Sequence, residues 1–312
     1  MWGAPGTGKT TFLGVLDIAL SRVDYGLTMT GANDASMDVL IEMTETINDK
    51  HMFPPATQSV DVFKWDIYNV RSSPSSPSSP SSPAGTGPAP GMPAKVTLKL
   101  TDPSGELMRN ERRSDPDRKK LIDDLVDSAG ILFMFDPIRE FEQGDAFSTT
   151  NGLLKQLMWA FSNKSPGAFT GRLPHHVAVC ITKFDEPRIL ETANKLGILR
   201  RNPNDPETPW VANHDARKLL NALAQVSISG DGEMVVRTLD RHFHPERVQY
   251  FVTSAVGFYV DPRTKRFDID DPQNLVKDSA GMSKSAHIRG PVRPINIVEP
   301  VLWLSNHISQ SQ

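Results

Sequence analysis

Cysteine is almost missing from this chain: Cys180 is the single one in 312 residues. It lies in the apolar run VAVCIT, cannot form a disulfide within the chain, and reads as a small buried hydrophobe of a reducing cytoplasmic setting. A surplus of one charge is missing too. Lys and Arg number 34 against 37 Asp and Glu, a net charge of −3, so the composition gives no surface for nucleic acid or for an anionic membrane. Long apolar runs are absent: no stretch approaches the ~20 residues that span a bilayer, and the first residues lack the charged and apolar regions of a signal peptide. The expectation is a cytoplasmic protein with no nucleic-acid partner and no membrane insertion. The hydrophobic fraction, 38%, is low for a globular chain, and one biased segment dilutes it.

That segment carries four SSP triplets from Ser72 to Pro83, followed by AGTGPAPGMPA. Proline and serine at this density cannot pack a core, so residues 71–94 are expected to be a disordered loop. Alternating strand-like sequences flank it, VDVFKWDIYNV at 60–70 and AKVTLKLTD at 94–102, which makes the segment an overgrown hairpin loop and not a domain boundary. Elsewhere helical and strand-like stretches alternate. Helices are expected near 9–22, 36–49, 117–128, 145–161, 188–196, 213–226 and 297–309. Strands are expected near 27–29, 130–136, 176–182 and 248–254. The pattern predicts one α/β domain over 1–312, a three-layer sandwich with a mostly parallel sheet and helices on both faces. Residues 197–212 and 260–296, rich in Pro, Asp and Arg, read as surface insertions.

Residues 3–10, GAPGTGKT, match G-x-x-x-x-G-K-[ST] through Gly3, Gly8, Lys9 and Thr10. Phosphate oxygens need several backbone N–H donors converging on one point. Glycines, Gly6 among them, allow the tight turn and the close approach, and the helix that begins at Lys9 aims its positive end at the anion. Lys9 then reaches the outer phosphates, the Thr10 hydroxyl serves a Mg²⁺ ion, and Thr11 joins the binding loop. Such a loop normally follows a buried central strand. Only Met1 and Trp2 precede it, so the chain is expected to start late and to lack most of its first strand.

GAPGTGKT alone suits AAA+ ATPases as well as GTPases, and three later motifs discriminate. KVTLKLTD ends in DPSG, Asp102 to Gly105. VAVCITKFD ends in Thr182-Lys183-Phe184-Asp185. YFVTSAVGF sets Ser254-Ala255 after a late strand. In order, and each at the end of an expected strand, these resemble the D-x-x-G, N-K-x-D and S-A motifs of Ras-like P-loop GTPases of the TRAFAC class. The resemblance spans nearly the whole chain outside the insertions, with Thr182 where the family has Asn. It implies GTP or GDP and Mg²⁺ as ligands. Asp102 would hold the metal and Gly105 would meet the γ-phosphate. Asp185 would accept from guanine N1–H and N2–H₂, Lys183 would cover the base, and the Ser254-Ala255 backbone would meet guanine O6. Asp136, which ends the strand GILFMFD, reads as structural.

For the first switch Thr57, just before the strand at Val60, is the choice for the second metal ligand and γ-phosphate sensor; Thr28, Thr44 and Thr46 compete with it. Glu106 stands where Ras-like enzymes carry the Gln that orients water, so turnover is expected to be slow, with Lys9, Glu106 and Thr57 as catalytic candidates. Arg109, Arg112 and Arg113 offer a cis arginine or form an ordinary solvated cluster; a partner supplying the arginine is the alternative. The implied partner is an effector or activator protein at the switch loops. Two other readings stay open: an AAA+-like or other P-loop ATPase, and an interaction module that keeps nucleotide without hydrolysing it.

Overall fold

The computed structural model describes residues 1–55, 61–70, 95–102, 116–167, 169–226, 232–276 and 287–310, with the backbone alone at 61, 62, 100–102 and 117. At its centre is a parallel sheet of four strands: β1 (Trp2–Gly3), β5 (Gly130–Phe135), β6 (His176–Ile181) and β9 (Val248–Val252), in the order β1-β5-β6-β9. The register runs from Gly130 opposite His176 to Phe135 opposite Ile181, and from Val177 opposite Val248 to Ile181 opposite Val252. Every residue of β6 is buried, which is why HVAVCI is continuously apolar past its first residue: helices cover both faces of the strand.

The strands sort their side chains by parity. Ile131, Phe133, Phe135, Val177, Val179, Ile181, Tyr250 and Val252 join one core. That core is closed by α3 (Pro116–Val126), α5 (Ala146–Lys164), α6 (Pro187–Lys195), α7 (Asn213–Gln225) and α8 (Gly232–His242). Leu132, Met134, Ala178, Cys180 and Phe251 face the other core, with α1 (Lys9–Arg22), α2 (Asp34–Thr44) and α9 (Val298–Gln310). Burial pushes the Cys180 thiol far above its ordinary range, so it packs as a hydrophobe. Between β5 and α5 lies the short α4 (Pro137–Gln143), capped by the Asp136 carboxylate, which accepts from the Ile138 and Arg139 N–H groups at 3.0 and 3.2 Å. The proline at its first position fits that start.

A second, antiparallel sheet has the order β2-β3-β4: β2 (Leu27–Gly31), β3 (Asp61–Asn69) and β4 (Lys95–Asp102). β3 and β4 pair from Asp61 opposite Asp102 to Tyr68 opposite Lys95, so 71–94 joins the two strands of a hairpin, as their alternation implied. Trp65 is buried between this sheet and α2, and its Nε1 donates to the Ser36 carbonyl at 3.0 Å. The strands expected in one sheet therefore fall in two separate sheets, and the expected short first strand pairs with β5 at two positions, Trp2 with Phe133 and Gly3 with Met134.

The two segments expected on the surface are only partly so. Residues 197–212 hold a hairpin of β7 (Leu199–Arg201) and β8 (Pro209–Val211), in which Ile198, Asn202, Thr208 and Val211 are buried. In 260–296, Asn274, Ile288, Val292 and Ile295 are buried, and β10 (Leu275–Val276) pairs with β11 (His287–Ile288). No helix among the described residues is long and apolar enough to cross a membrane.

Candidate functional site

The carboxyl ends of β1, β5, β6 and β9 lie along one edge of the parallel sheet, and the glycine loop, Asp136, the TKFD turn and Ser254-Ala255 follow them. The edge of an open α/β sheet formed by the carboxyl ends of its strands is the place where such folds bind ligands.

The glycine loop leaves β1 at Gly3. A Cβ there would stand 2.7 Å from the Met134 carbonyl and 2.8 Å from Thr7 Oγ1, so only glycine fits. Gly6 and Gly8 have φ of 74° and 85°, a left-handed backbone that a side chain would strain. Gly8 caps α1, and its carbonyl accepts from Phe12 N–H at 2.7 Å. Buried Thr7 closes the turn by donating from Oγ1 to the Ala4 carbonyl at 2.9 Å. Lys9 is buried, and its Nζ donates to the Gly3 and Ala4 carbonyls at 3.1 and 3.0 Å, folding back over the loop. A cation above a loop that opens a helix N-terminus forms a cradle for phosphate. Thr10 and Thr11 occupy the first turn of α1, half-buried.

The loop is braced from outside by a residue with no motif around it. Arg139 Nη1 donates to the Pro5 carbonyl at 3.2 Å, while Nε and Nη2 grip Asp145 at 2.9 and 2.5 Å. An Arg in an ordinary helical sequence gives no warning of this role.

The second half of the edge is the TKFD turn. Thr182 N–H and Oγ1 both donate to the Phe135 carbonyl, at 2.8 and 3.1 Å, tying the end of β6 to the end of β5. Lys183 has φ 59°, and its Nζ pairs with Asp136 Oδ2 at 2.6 Å. Asp136 thus holds both a helix start and Lys183, as befits a structural acid. Phe184 N–H donates to the Thr253 carbonyl at 3.1 Å, which locks the turn to β9.

Asp185 is buried. Ser254 Oγ donates to its Oδ1 at 2.5 Å and accepts from Gly257 N–H at 2.9 Å. Burial pushes the Asp185 carboxyl up to about 6, and the Ser254 hydrogen bond opposes that rise. One carboxylate oxygen is engaged with protein and the acid is expensive to ionise unless further donors meet it. Such a group suits a ligand that presents N–H donors.

The two halves share one cavity. A pocket of about 270 Å³ is lined by Gly6, Gly8 and Thr11 from the loop and by Thr182, Lys183, Asp185 and Ala255 from the strand ends. Phe12, Phe53, Leu275 and Ile297 supply apolar surface. This is just below the usual ~300–1,000 Å³ of ligand pockets, and it opens beside the glycine loop. Phe53 and Ile297 come from irregular segments and Leu275 from the two-residue β10, none of which shows a sequence period.

Comparison with protein-family models, curated proteins and solved structures gives no match. The functional reading therefore rests on the geometry of the site.

Asp102 closes β4, on the other sheet, with its backbone opposite Asp61. Thr57, Gly105, Glu106, Arg109, Arg112 and Arg113 lie outside the described residues. His175 Nε2 contacts the Leu125 carbonyl at 2.9 Å, and His176 stacks edge-on to Trp303. Among the described residues no cluster of three or more His, Cys, Asp or Glu is arranged to hold a metal.

Proposed function

We propose that this chain binds guanine nucleotide as a Ras-like P-loop GTPase and works as a molecular switch with slow Mg²⁺-dependent hydrolysis of GTP. The observation that carries the reading is the shared pocket, in which the glycine loop and the buried Asp185 open onto one cavity. Either half alone has ordinary explanations. Together they suit a ligand with an anionic tail and a donor-bearing base.

In this reading Lys9 Nζ exchanges its two loop carbonyls for β- and γ-phosphate oxygens, while the Gly6–Thr11 N–H groups receive the rest of the phosphate chain. Asp185 accepts from guanine N1–H and N2–H₂. Adenine lacks both donors in that arrangement, so it leaves a buried carboxylate uncompensated, a strong basis for discrimination. The aliphatic stem of Lys183, held by Asp136, covers the base, and the Ala255 N–H meets O6. Thr10, Asp102 and Thr57 are the residues that would hold Mg²⁺, which would supply charge neutralisation at the phosphates. Glu106 would take the role of the Gln that orients water in Ras-like enzymes, and a carboxylate in that role would keep turnover slow. The loops after Asp102 and around Thr57 respond to the γ-phosphate and present the surface for an effector or activator protein.

The test is a titration with fluorescent GDP and Mg²⁺, competed with GTP, ATP and ADP, beside Asp185→Ala. Displacement by GTP but not ATP, with binding lost in the variant, is the expected result. Equal displacement by ATP would replace this reading with an ATPase.

A further inference from the structure

The end of α1, the β7–β8 hairpin and the segment that leads into α9 enclose a second cavity, of about 560 Å³. It is larger than the pocket at the glycine loop and falls within the usual range of ligand sites. Ile297 lines both cavities, but the motif residues of the sheet edge take no part in this one.

One side of the cavity is fixed by a knot of three side chains. Tyr25 OH donates to Glu299 Oε1 at 2.8 Å, and Asn204 Nδ2 donates to the Tyr25 oxygen at 3.0 Å and to the same carboxylate oxygen at 3.4 Å. The knot ties the hairpin to both helices and supplies the Glu299 carboxyl with donors from the protein itself. The charges on the other side are less evenly matched. Arg293 Nη1 pairs with Asp205 Oδ2 at 2.8 Å, both side chains being half-buried. Arg22, the exposed last residue of α1, forms no ion pair among the described residues. What burial it has, first, and the Arg293 charge, second, lower its pKa, with Asp205 opposing. Two guanidinium groups thus share one carboxylate, a surplus of one positive charge. Trp210, half-buried, adds an apolar wall with Val23 and Leu302.

We infer that this cavity is a second ligand site, for a small organic molecule with one carboxylate, whose anionic group lies between Arg22 and Arg293 and whose apolar body lies along Trp210. A guanidinium offers its N–H donors in a planar fork that matches a carboxylate. The surplus of a single charge selects a monoanion. A phosphate monoester, with ~1.5–2 negative charges at neutral pH, would meet repulsion from Asp205 and Glu299 that the surplus does not offset. An organic cation is disfavoured by the same balance, since both acids already have donors. The inference rests on this cavity and not on the nucleotide reading.

The test follows the amide and indole N–H signals of the full chain by NMR, without nucleotide. Acetate, hexanoate, phenylacetate and indole-3-acetate are titrated to tens of millimolar, each beside its primary amide, with phenyl phosphate as a further probe. At least one carboxylate is expected to shift the Trp210 indole and the Asn204 and Arg293 amides saturably, with its primary amide at least about tenfold weaker. Arg22→Gln, which breaks no ion pair, should weaken that carboxylate by about tenfold and leave Tm unchanged. No saturable shift with any carboxylate, equal binding of the amides, or indifference to Arg22→Gln would overturn the site. Tighter binding of phenyl phosphate than of phenylacetate would overturn the carboxylate class. Shifts centred on Gly6–Thr11 would place the anion at the glycine loop and overturn the inference as well.

Discussion

The two ends of the candidate site are held in different ways. The base end is tied across three parallel strands: Thr182 to Phe135, Phe184 to Thr253, and Ser254 to Asp185. Each bond joins a turn to a neighbouring buried strand, so the end is organised before any ligand arrives. The phosphate end hangs from a strand of two residues, with a brace from Arg139 to Pro5, and the acid proposed for its metal stands on a separate sheet. In the proposed reading, recognition of the base would fall to the parallel sheet and sensing of the γ-phosphate to the segments next to the β3–β4 hairpin of the second sheet, a separation of reader and sensor that suits a switch.

The sharpest way to break that contrast is Asp185→Ala. Two hydrogen bonds to a charged acceptor are worth ~1.5–3 kcal/mol each, so GDP and guanosine affinity should both fall at least ~100-fold, with ADP unchanged, in calorimetric titrations. Lys9→Ala comes next and separates the ends. GDP affinity should fall on the order of 30–100-fold through lost charge-assisted bonds, while the weaker binding of guanosine stays within about twofold. If both ligands suffer alike, the ends are not independent.

A smaller effect follows from the Asp185 carboxyl, raised to about 6. The folded state holds this proton between pH 6 and the ordinary carboxylate range near 4, where the unfolded chain has released it. From this group alone, stability increases as pH falls through that window. Guanine recognition needs the ionised form, so GDP affinity should drop about tenfold between pH 7 and pH 5. Loss of affinity with no matching loss of Tm, measured side by side, is the expected signature; parallel loss of both would assign the effect to unfolding.

The smallest effect concerns bracing. Thr182→Val removes Oγ1 but leaves the N–H bond to Phe135. It should cost ~1 kcal/mol, a Tm decrease of about 2–4 °C, with GDP affinity changed less than about threefold. A larger loss of affinity would show that Thr182 touches the ligand.

Much of this was readable from the chain. HVAVCI and GILFMF had to be buried parallel strands because their apolar runs are too short for helices and too continuous for half-exposed strands, and the alternation on both sides of 71–94 implied the β3–β4 hairpin. The glycine loop and the TKFD turn were visible because their chemistry needs fixed residues at fixed spacing. The shared pocket was not: Phe53, Leu275 and Ile297 reach it from segments without periodicity, and only the tertiary fold brings them there. The same holds for the Lys183–Asp136 pair and for the Arg139 brace, which join residues far apart in sequence. Residues 197–212 and 260–296 read as surface because Pro, Asp and Arg dominate them, yet a few buried positions such as Ile198 and Asn274 anchor each to the core.

The most direct measurement exchanges the base reader for its complement. Asn in place of Asp185 keeps the acceptor for Ser254 but offers an N–H₂ donor where the second carboxylate oxygen stood. Xanthine carries a carbonyl where guanine carries its N2 amine. Calorimetric titration of Asp185→Asn with xanthosine diphosphate and with GDP should show at least a tenfold preference for the xanthine nucleotide, inverted from the wild type. A variant that still prefers GDP, or that takes ADP as readily as either, would contradict Asp185 as the reader of guanine and with it the proposed function.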